Sequence, residues 1–302
     1  MQYIFHLGVH QTATPYLQST LSKNLEQLRA QRVFYVNEEM PMAITRQRRV
    51  IRRLCDPNRD VPNTDALLGT NRQVAEAARA AGAKTVLISG DHGLGPAMHE
   101  ALAWGDAEPA FYPRAHSCLR AVTVGLPMRR TKALVYSRNP ETYLLSLYSD
   151  ALRQGQAYID LDTFCQQVAF DSIDFEGLRT RLSALDSRLS VTMRAHERIR
   201  LGTDTFLRTF LRDMGVDPKD FVLGRLPADD TLDTAQVEAL RHIAMGSPSQ
   251  RPQLVKQLRD QVLGHPANPT DRLVLPRWVS ESLRAVENTE VAHFSRQMSG
   301  SI

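Results

Sequence analysis

The sequence predicts an α/β fold: a central, mostly parallel sheet with a helical C-terminal third. Four strong apolar runs, at 2–9, 84–89, 132–137 and 189–194, have the length and content of buried strands, and 33–36 adds a short one. Segments of helical periodicity separate them, and strands alternating with helices form parallel sheets because a parallel return needs a long crossover. Past Gly215 the pattern is mostly helical, at about 233–244, 250–263 and 277–296.

The first run, QYIFHLGV, is followed by a small polar stretch, His10-Gln11-Thr12-Ala13-Thr14. Thr14 suits a helix N-cap and Pro15 the first helical position, where its missing N–H costs nothing. Leu17, Leu21, Leu25 and Leu28 recur at helical spacing and predict one helix to about residue 31. Over 41–54, Ile44, Val50, Ile51 and Leu54 are interleaved with Arg46, Arg48, Arg49, Arg52 and Arg53, the pattern of a basic amphipathic helix. DPNRDVPN is a loop by its Pro, Asn and Asp content, and a helix over 64–81 stops at Gly82. The strand KTVLIS runs into a Gly-rich loop, Gly90 to Pro96, with short helices at 97–104 and 114–125 beyond it. KALVYS is followed by Arg138-Asn139-Pro140, and Pro140 fits the first turn of a helix reaching about Arg153. LSVTMR precedes a helix at about 199–214. The expected organisation is one domain over 1–302, with a helical insertion at about 38–82 and a helical region at about 228–302.

Composition narrows the function. The chain of 302 residues has 37 basic and 33 acidic side chains, a net charge of +4, too mild for a dedicated nucleic-acid binder. Its three cysteines (Cys55, Cys118 and Cys165) are too few and too scattered for a disulfide framework or a zinc site, so no metal is expected. The start, MQYIFHLGVH, lacks the pattern of a signal peptide, and no window nears 18 consecutive apolar residues. The expectation is a cytoplasmic protein without a membrane span.

Ligands of open α/β sheets bind at the carboxyl ends of the strands. Those ends carry His10–Thr14, Ser89–Pro96 and Arg138–Ser146. In the first, the N–H groups of residues 11–16, Pro15 excepted, would face inward at a helix N-terminus, which is an anion site; a plain β–α turn is the other reading. A nucleoside-triphosphatase loop needs G-x-x-x-x-G-K-[ST]. This loop has Ala13 in place of the second Gly and no Lys after it, which counts against an ATPase or a kinase-like enzyme.

The segment Gly8-Val9-His10-Gln11-Thr12-Ala13-Thr14-Pro15-Tyr16-Leu17-Gln18 resembles the opening motif of the PAPS-dependent sulfotransferases, in particular their bacterial branch, roughly G-x-x-K-[ST]-[AG]-T-[ST]-x-L-Q. That motif wraps the 5′-phosphosulfate of 3′-phosphoadenosine-5′-phosphosulfate (PAPS). The family's second signature, an Arg after a strand with a Ser eight residues on, holds the 3′-phosphate; it is matched by Arg138 and Ser146. Weaker echoes at Phe111-Tyr112-Pro113, Leu161–Phe164, Ala195-His196-Glu197, Ala285–Asn288 and Met298 extend the resemblance over nearly the whole chain in order. It implies a three-layer P-loop-like fold and an enzyme moving a sulfuryl group from PAPS to a hydroxyl or amine of a small-molecule or carbohydrate acceptor, without metal or nucleic acid. It assigns His10, Gln11, Thr12, Ala13, Thr14, Tyr16, Arg138 and Ser146 to PAPS.

Two departures bear on activity. The family's loop Lys is Gln11, and Pro15 replaces a hydroxyl residue. Losing one preorganised charge stabiliser costs about 3 kcal/mol in the transition state, on the order of 10²–10³ in rate. A PAPS-binding protein with little or no transfer activity is therefore the alternative to a sulfotransferase, and the adjacent His10 is a candidate replacement cation. A base assists removal of the acceptor proton. The resemblance aligns Asp91 of Ser89-Gly90-Asp91 with a family Glu, and His92 is the second candidate beside it. The remaining histidines show no ligand spacing, and Trp104 and Trp278 read as core or interface residues.

Overall fold

The computed structural model describes residues 1–56, 65–90, 93–103, 110–155, 159–224, 232–245, 252–265, 267–268 and 270–284. The chain begins β1 (Gln2–Leu7), α1 (Thr14–Lys23), α2 (Leu25–Ala30), β2 (Val33–Tyr35), α3 (Val36–Glu39), α4 (Pro41–Cys55) and α5 (Asp65–Ala80). It continues with β3 (Thr85–Gly90), α6 (Met98–Ala103), α7 (Ala115–Val122), β4 (Thr131–Ser137), α8 (Pro140–Gln154) and α9 (Leu161–Gln167). It closes with α10 (Phe175–Ser183), β5 (Ser190–Ala195), α11 (Thr203–Asp213), α12 (Thr234–Met245) and α13 (Pro252–Gly264). Residues 277–284 are also helical. The expected continuation to 296, Trp104 and the segment 285–298 lie outside the described residues.

Contacts gather the chain into two units. The first, Met1–Ala97 with Tyr112–Arg138 and Phe175–Ala228, holds all five strands in the order β2-β3-β1-β4-β5, every pairing parallel. The central strand β1 is buried from Tyr3 to Leu7, as a strand covered on both faces must be. On one face Ile4, Leu87, Leu134 and Tyr136 join one apolar cluster with Leu17 and Leu21 of α1, Leu28 of α2, and Phe206 and Phe210 of α11. On the other, Phe5, Leu7 and Ile88 meet Ile44 and Ile51 of α4 and Val122 of α7, while Tyr3 meets Leu68 and Ala75 of α5. Neighbouring side chains of a strand point to opposite faces, so one apolar run feeds both layers. The three-layer α/β architecture expected from the sequence is present. His6, the one polar residue buried within β1, lies with Nδ1 2.8 Å from Ser89 Oγ on β3.

Several boundaries differ from the expectation. The single helix to residue 31 is two helices, broken at the buried Asn24. Asn24 Nδ2 donates to the carbonyls of Thr20 (2.7 Å) and Val222 (2.9 Å), and Oδ1 accepts the Val222 N–H (2.7 Å). Leucine spacing reports the buried face but not an anchor from a segment so far along the chain. The cap of α1 is Ala13 in the left-handed region, with Thr14 the first helical residue. The 33–36 strand stops at Tyr35 because Val36 begins α3. The basic amphipathic helix is α4: Ala43, Ile44, Gln47, Val50, Ile51, Leu54 and Cys55 are buried, and its five arginines are exposed. Helices α9 and α10 occupy a stretch that sequence reading left without elements.

The second unit, Met98–Phe111 with Asn139–Asp174 and Asp229–Ile302, is built from helices joined by irregular segments where described, with one isolated antiparallel bridge between Asp233 and Arg272. Its core centres on α8, with Tyr143, Leu144, Leu147, Tyr148 and Leu152 buried. Asn139 caps α8, its Oδ1 accepting the Thr142 N–H at 3.2 Å. At the start of α12, Asp233 Oδ1 accepts the Gln236 N–H (2.7 Å) and Gln236 Oε1 accepts the Asp233 N–H (3.2 Å), a reciprocal capping box.

Candidate functional site

Parallel register brings three strand ends together. Leu7 lies opposite Gly90 on β3 and Val135 on β4, so the turn after β1, the exit of β3 and Arg138 after β4 share one end of the sheet. The Gly8 N–H donates to the Gly90 carbonyl at 2.7 Å, carrying the ladder one residue past β1. The chain then folds back on itself. A Cβ at Gly8 would run into Thr14 Oγ1, so only glycine lets the first residue of α1 lie over the end of the strand. Thr12, fully buried, donates through Oγ1 to the Val9 carbonyl at 2.6 Å.

Gln11 and Ala13 both have positive φ, 63° and 60°. A side-chain-bearing residue in that region costs about 1–2 kcal/mol, so the surrounding contacts must hold the turn in this shape. The return is a set of donors. Among the described residues, the N–H groups of Gln11, Thr12, Ala13, Thr14 and Tyr16 have no acceptor, and the buried Thr14 Oγ1 has no hydrogen-bond partner. They stand at the N-terminus of a ten-residue helix, where the dipole adds partial positive charge. Unanswered N–H groups on a left-handed turn at a helix start suit an anion.

Arg138 completes this end of the sheet. Its Nη1 donates to the Gln11 carbonyl at 2.5 Å, across 127 residues of sequence. The two places that the sequence marks for opposite ends of one ligand are thus in direct contact. His10 is held from the other side: its N–H donates to Tyr112 Oη at 3.0 Å and its Nδ1 lies 2.7 Å from the same oxygen. The two rings stack, with centroids 5.9 Å apart.

The other candidates fall as follows. Tyr16 belongs to the core by its ring, and its hydroxyl donates to the Gly224 carbonyl; what it can offer an anion is its N–H. Burial, and secondarily the Asp204 carboxylate, raise its pKa. Ser146 is buried on α8 in the second unit. Asp91 and His92 lie outside the described residues. Within the described residues, Ser89 of β3 is held by two side chains. Asn37 Nδ2 (2.6 Å) and Gln18 Nε2 (3.0 Å) both donate to the Ser89 carbonyl, and the Ser89 N–H donates to Asn37 Oδ1 (3.0 Å). Sequence reasoning missed Asn37, which sits in a helix of four residues with no periodicity to reveal it. Among the described residues there is no cluster of three or more His, Cys, Asp or Glu able to hold a metal, and no helix is long and apolar enough to cross a membrane.

No protein-family model and no curated protein matches the chain. Among solved structures it is similar to the crystal structure of a sulfotransferase from Alicyclobacillus acidocaldarius, with a TM-score of 0.43 and 14% sequence identity over 88% of this chain and 97% of that one.

Proposed function

We propose that this chain binds PAPS at the turn after β1 and transfers its sulfuryl group to a hydroxyl or amine of a small-molecule or carbohydrate acceptor. The observation that carries the reading is the row of unanswered N–H groups at residues 11–16 joined through the Gln11 carbonyl to the Arg138 guanidinium. These residues fit the donor's chemistry: main-chain donors and a helix N-terminus for one anionic group, and a planar guanidinium for another. PAPS, when bound, supplies an activated sulfuryl group whose leaving oxygen gathers negative charge. Thr12, Ala13 and Thr14 would hold that end, Arg138 and Ser146 the 3′-phosphate, and Asp91 or His92 would take the acceptor proton. Transfer of this kind rests on positioning and charge stabilisation, for which a turn already folded into shape needs no reorganisation.

Gln11 favours a second reading, in which the chain binds PAPS or its product adenosine 3′,5′-bisphosphate without transfer. Its side chain donates but carries no charge to balance the leaving group. Calorimetric titration with adenosine 3′,5′-bisphosphate tests both: saturable binding is expected, and its absence sinks them together. Labelled-sulfate transfer over a panel of hydroxyl and amine acceptors separates them, product formation favouring the enzyme and binding without product the alternative.

A further inference from the structure

The amino ends of the strands, at the opposite edge of the sheet, enclose a second site. A cavity of about 360 Å³ opens there between α5, β1 and the turn entering β4. The charged side chains of its lining are three guanidiniums, Arg72, Arg79 and Arg130, and one carboxylate, Glu76, with Met1 and the Asn71 amide beside them. Its floor is apolar: the Tyr3 ring, Leu68, Ala75, Leu126 and Pro127. Arg72, Glu76 and Arg79 stand at i, i+4 and i+7 along α5, the spacing at which a carboxylate pairs readily with either neighbour. No such pair forms: among the described residues none of the four charged groups has an ion pair or side-chain hydrogen bond. Arg79 is near enough to Tyr3 to oppose the rise that burial imposes on the phenol's pKa.

The walls are fixed in advance. The buried Asn71 amide donates to the carbonyls of Val122 (3.0 Å) and Val124 (2.9 Å), tying α5 to the end of α7. Gly125 follows with φ +76°, a backbone conformation that glycine takes without the strain a side chain would bring. The Leu126 N–H donates to the Thr123 carbonyl (3.0 Å) and the Arg130 N–H to the Pro127 carbonyl (2.8 Å), closing the turn that carries Arg130.

We propose that this cavity binds a small dianion with a flat apolar body, of the class of a ring-bearing phosphate monoester or dicarboxylate. Three positive groups against one negative select net negative charge, and the Tyr3 and leucine floor selects a ring over a bare inorganic ion. A cavity of this size admits a compound of about one ring and one anionic group. The site lies at the far edge of the sheet from the turn after β1 and does not depend on the PAPS reading.

Phenyl phosphate is the probe, titrated calorimetrically into the full chain at low ionic strength, with inorganic phosphate and phenol as comparators. Phenyl phosphate is expected to bind more tightly than either comparator. The Arg72→Ala/Arg79→Ala double variant should lose about tenfold in affinity or more, the scale of removing charge-assisted contacts. Arg138→Ala should leave that affinity unaltered, because Arg138 is at the other end of the sheet. Glu76→Gln, which removes the only repulsive group, should tighten binding about twofold or more. Arg72, Glu76 and Arg79 are exposed and Arg138 is half-buried, and a cooperative melt checks that each variant folds. No binding at millimolar probe, phosphate binding as well as its phenyl ester, no change on Glu76→Gln, or loss of binding with Arg138→Ala in place of the α5 pair would each overturn the proposal.

Discussion

The main-chain carbonyl of Gln11 accepts the Arg138 guanidinium, while its side chain stands where the resembled family carries a lysine. The two roles can be separated. Gln11→Lys keeps the carbonyl and restores a charge beside the turn. On the enzyme reading it should raise sulfuryl transfer by on the order of 10², the inverse of removing one such stabiliser. Turnover that stays level would mean another cation holds the role. Arg138→Ala removes the opposite partner. Affinity for adenosine 3′,5′-bisphosphate should fall by roughly 1.5–3 kcal/mol, the worth of a charge-assisted hydrogen bond, and Arg138→Lys should recover only part of it because the planar fork is lost. Equal affinity in wild type and Arg138→Ala would take this residue out of the site.

Helix boundaries show where periodicity stops being informative. Leu17, Leu21, Leu25 and Leu28 mark one apolar face, and all but Leu25 are buried in the cluster beneath it, with Leu25 packed against its edge. The break between α1 and α2 comes from Asn24, whose amide is engaged at both ends by residues in its own turn and at Val222. Asn24→Ala leaves the Val222 N–H and carbonyl without partners and should destabilise the protein by about 1–3 kcal/mol, read from denaturant unfolding. Asn24→Leu, which completes the leucine pattern, should be no better; a stabilised Asn24→Leu would show that the break is incidental. In α4, by contrast, Ile44, Val50, Ile51 and Leu54, the apolar positions that the sequence marks, are all buried and the five arginines exposed, because the helical period alone divides the two faces.

On the scale of the molecule, the five-stranded sheet falls in one unit, and the regular elements described in the other are helices. The helical unit carries its own alkaline limit. Burial raises Tyr148, whose hydroxyl donates to the Ile159 carbonyl at 2.8 Å, from 10.0 to about 12, and raises Cys165 from 9.0 to about 12. Each group holds its proton longer folded than unfolded. Their contribution is complete below the unfolded values and is lost as pH rises through the folded ones, since the unfolded chain binds fewer protons in that window. Stability should therefore fall between about pH 9 and 12, and Tyr148→Phe should flatten the part above pH 10. An identical slope in that variant would remove Tyr148 from the account. The sheet gives the first unit two chemically different edges, main-chain donors with Arg138 at the carboxyl ends and arginines over an apolar floor at the amino ends.

By itself the sequence determined the alternation of strands and helices, the covering of the sheet on both faces, and the small-residue turn before α1. Each of these is a local property: hydrophobic period, run length and turn chemistry are all set within a few residues. Only the tertiary structure decided the strand order, the left-handed backbone at Gln11 and Ala13, the meeting of Arg138 with Gln11, the hold on Ser89, and the cavity beneath α5. These depend on residues brought together from across the chain by packing, and a one-dimensional pattern carries no term for which distant groups a buried backbone will find.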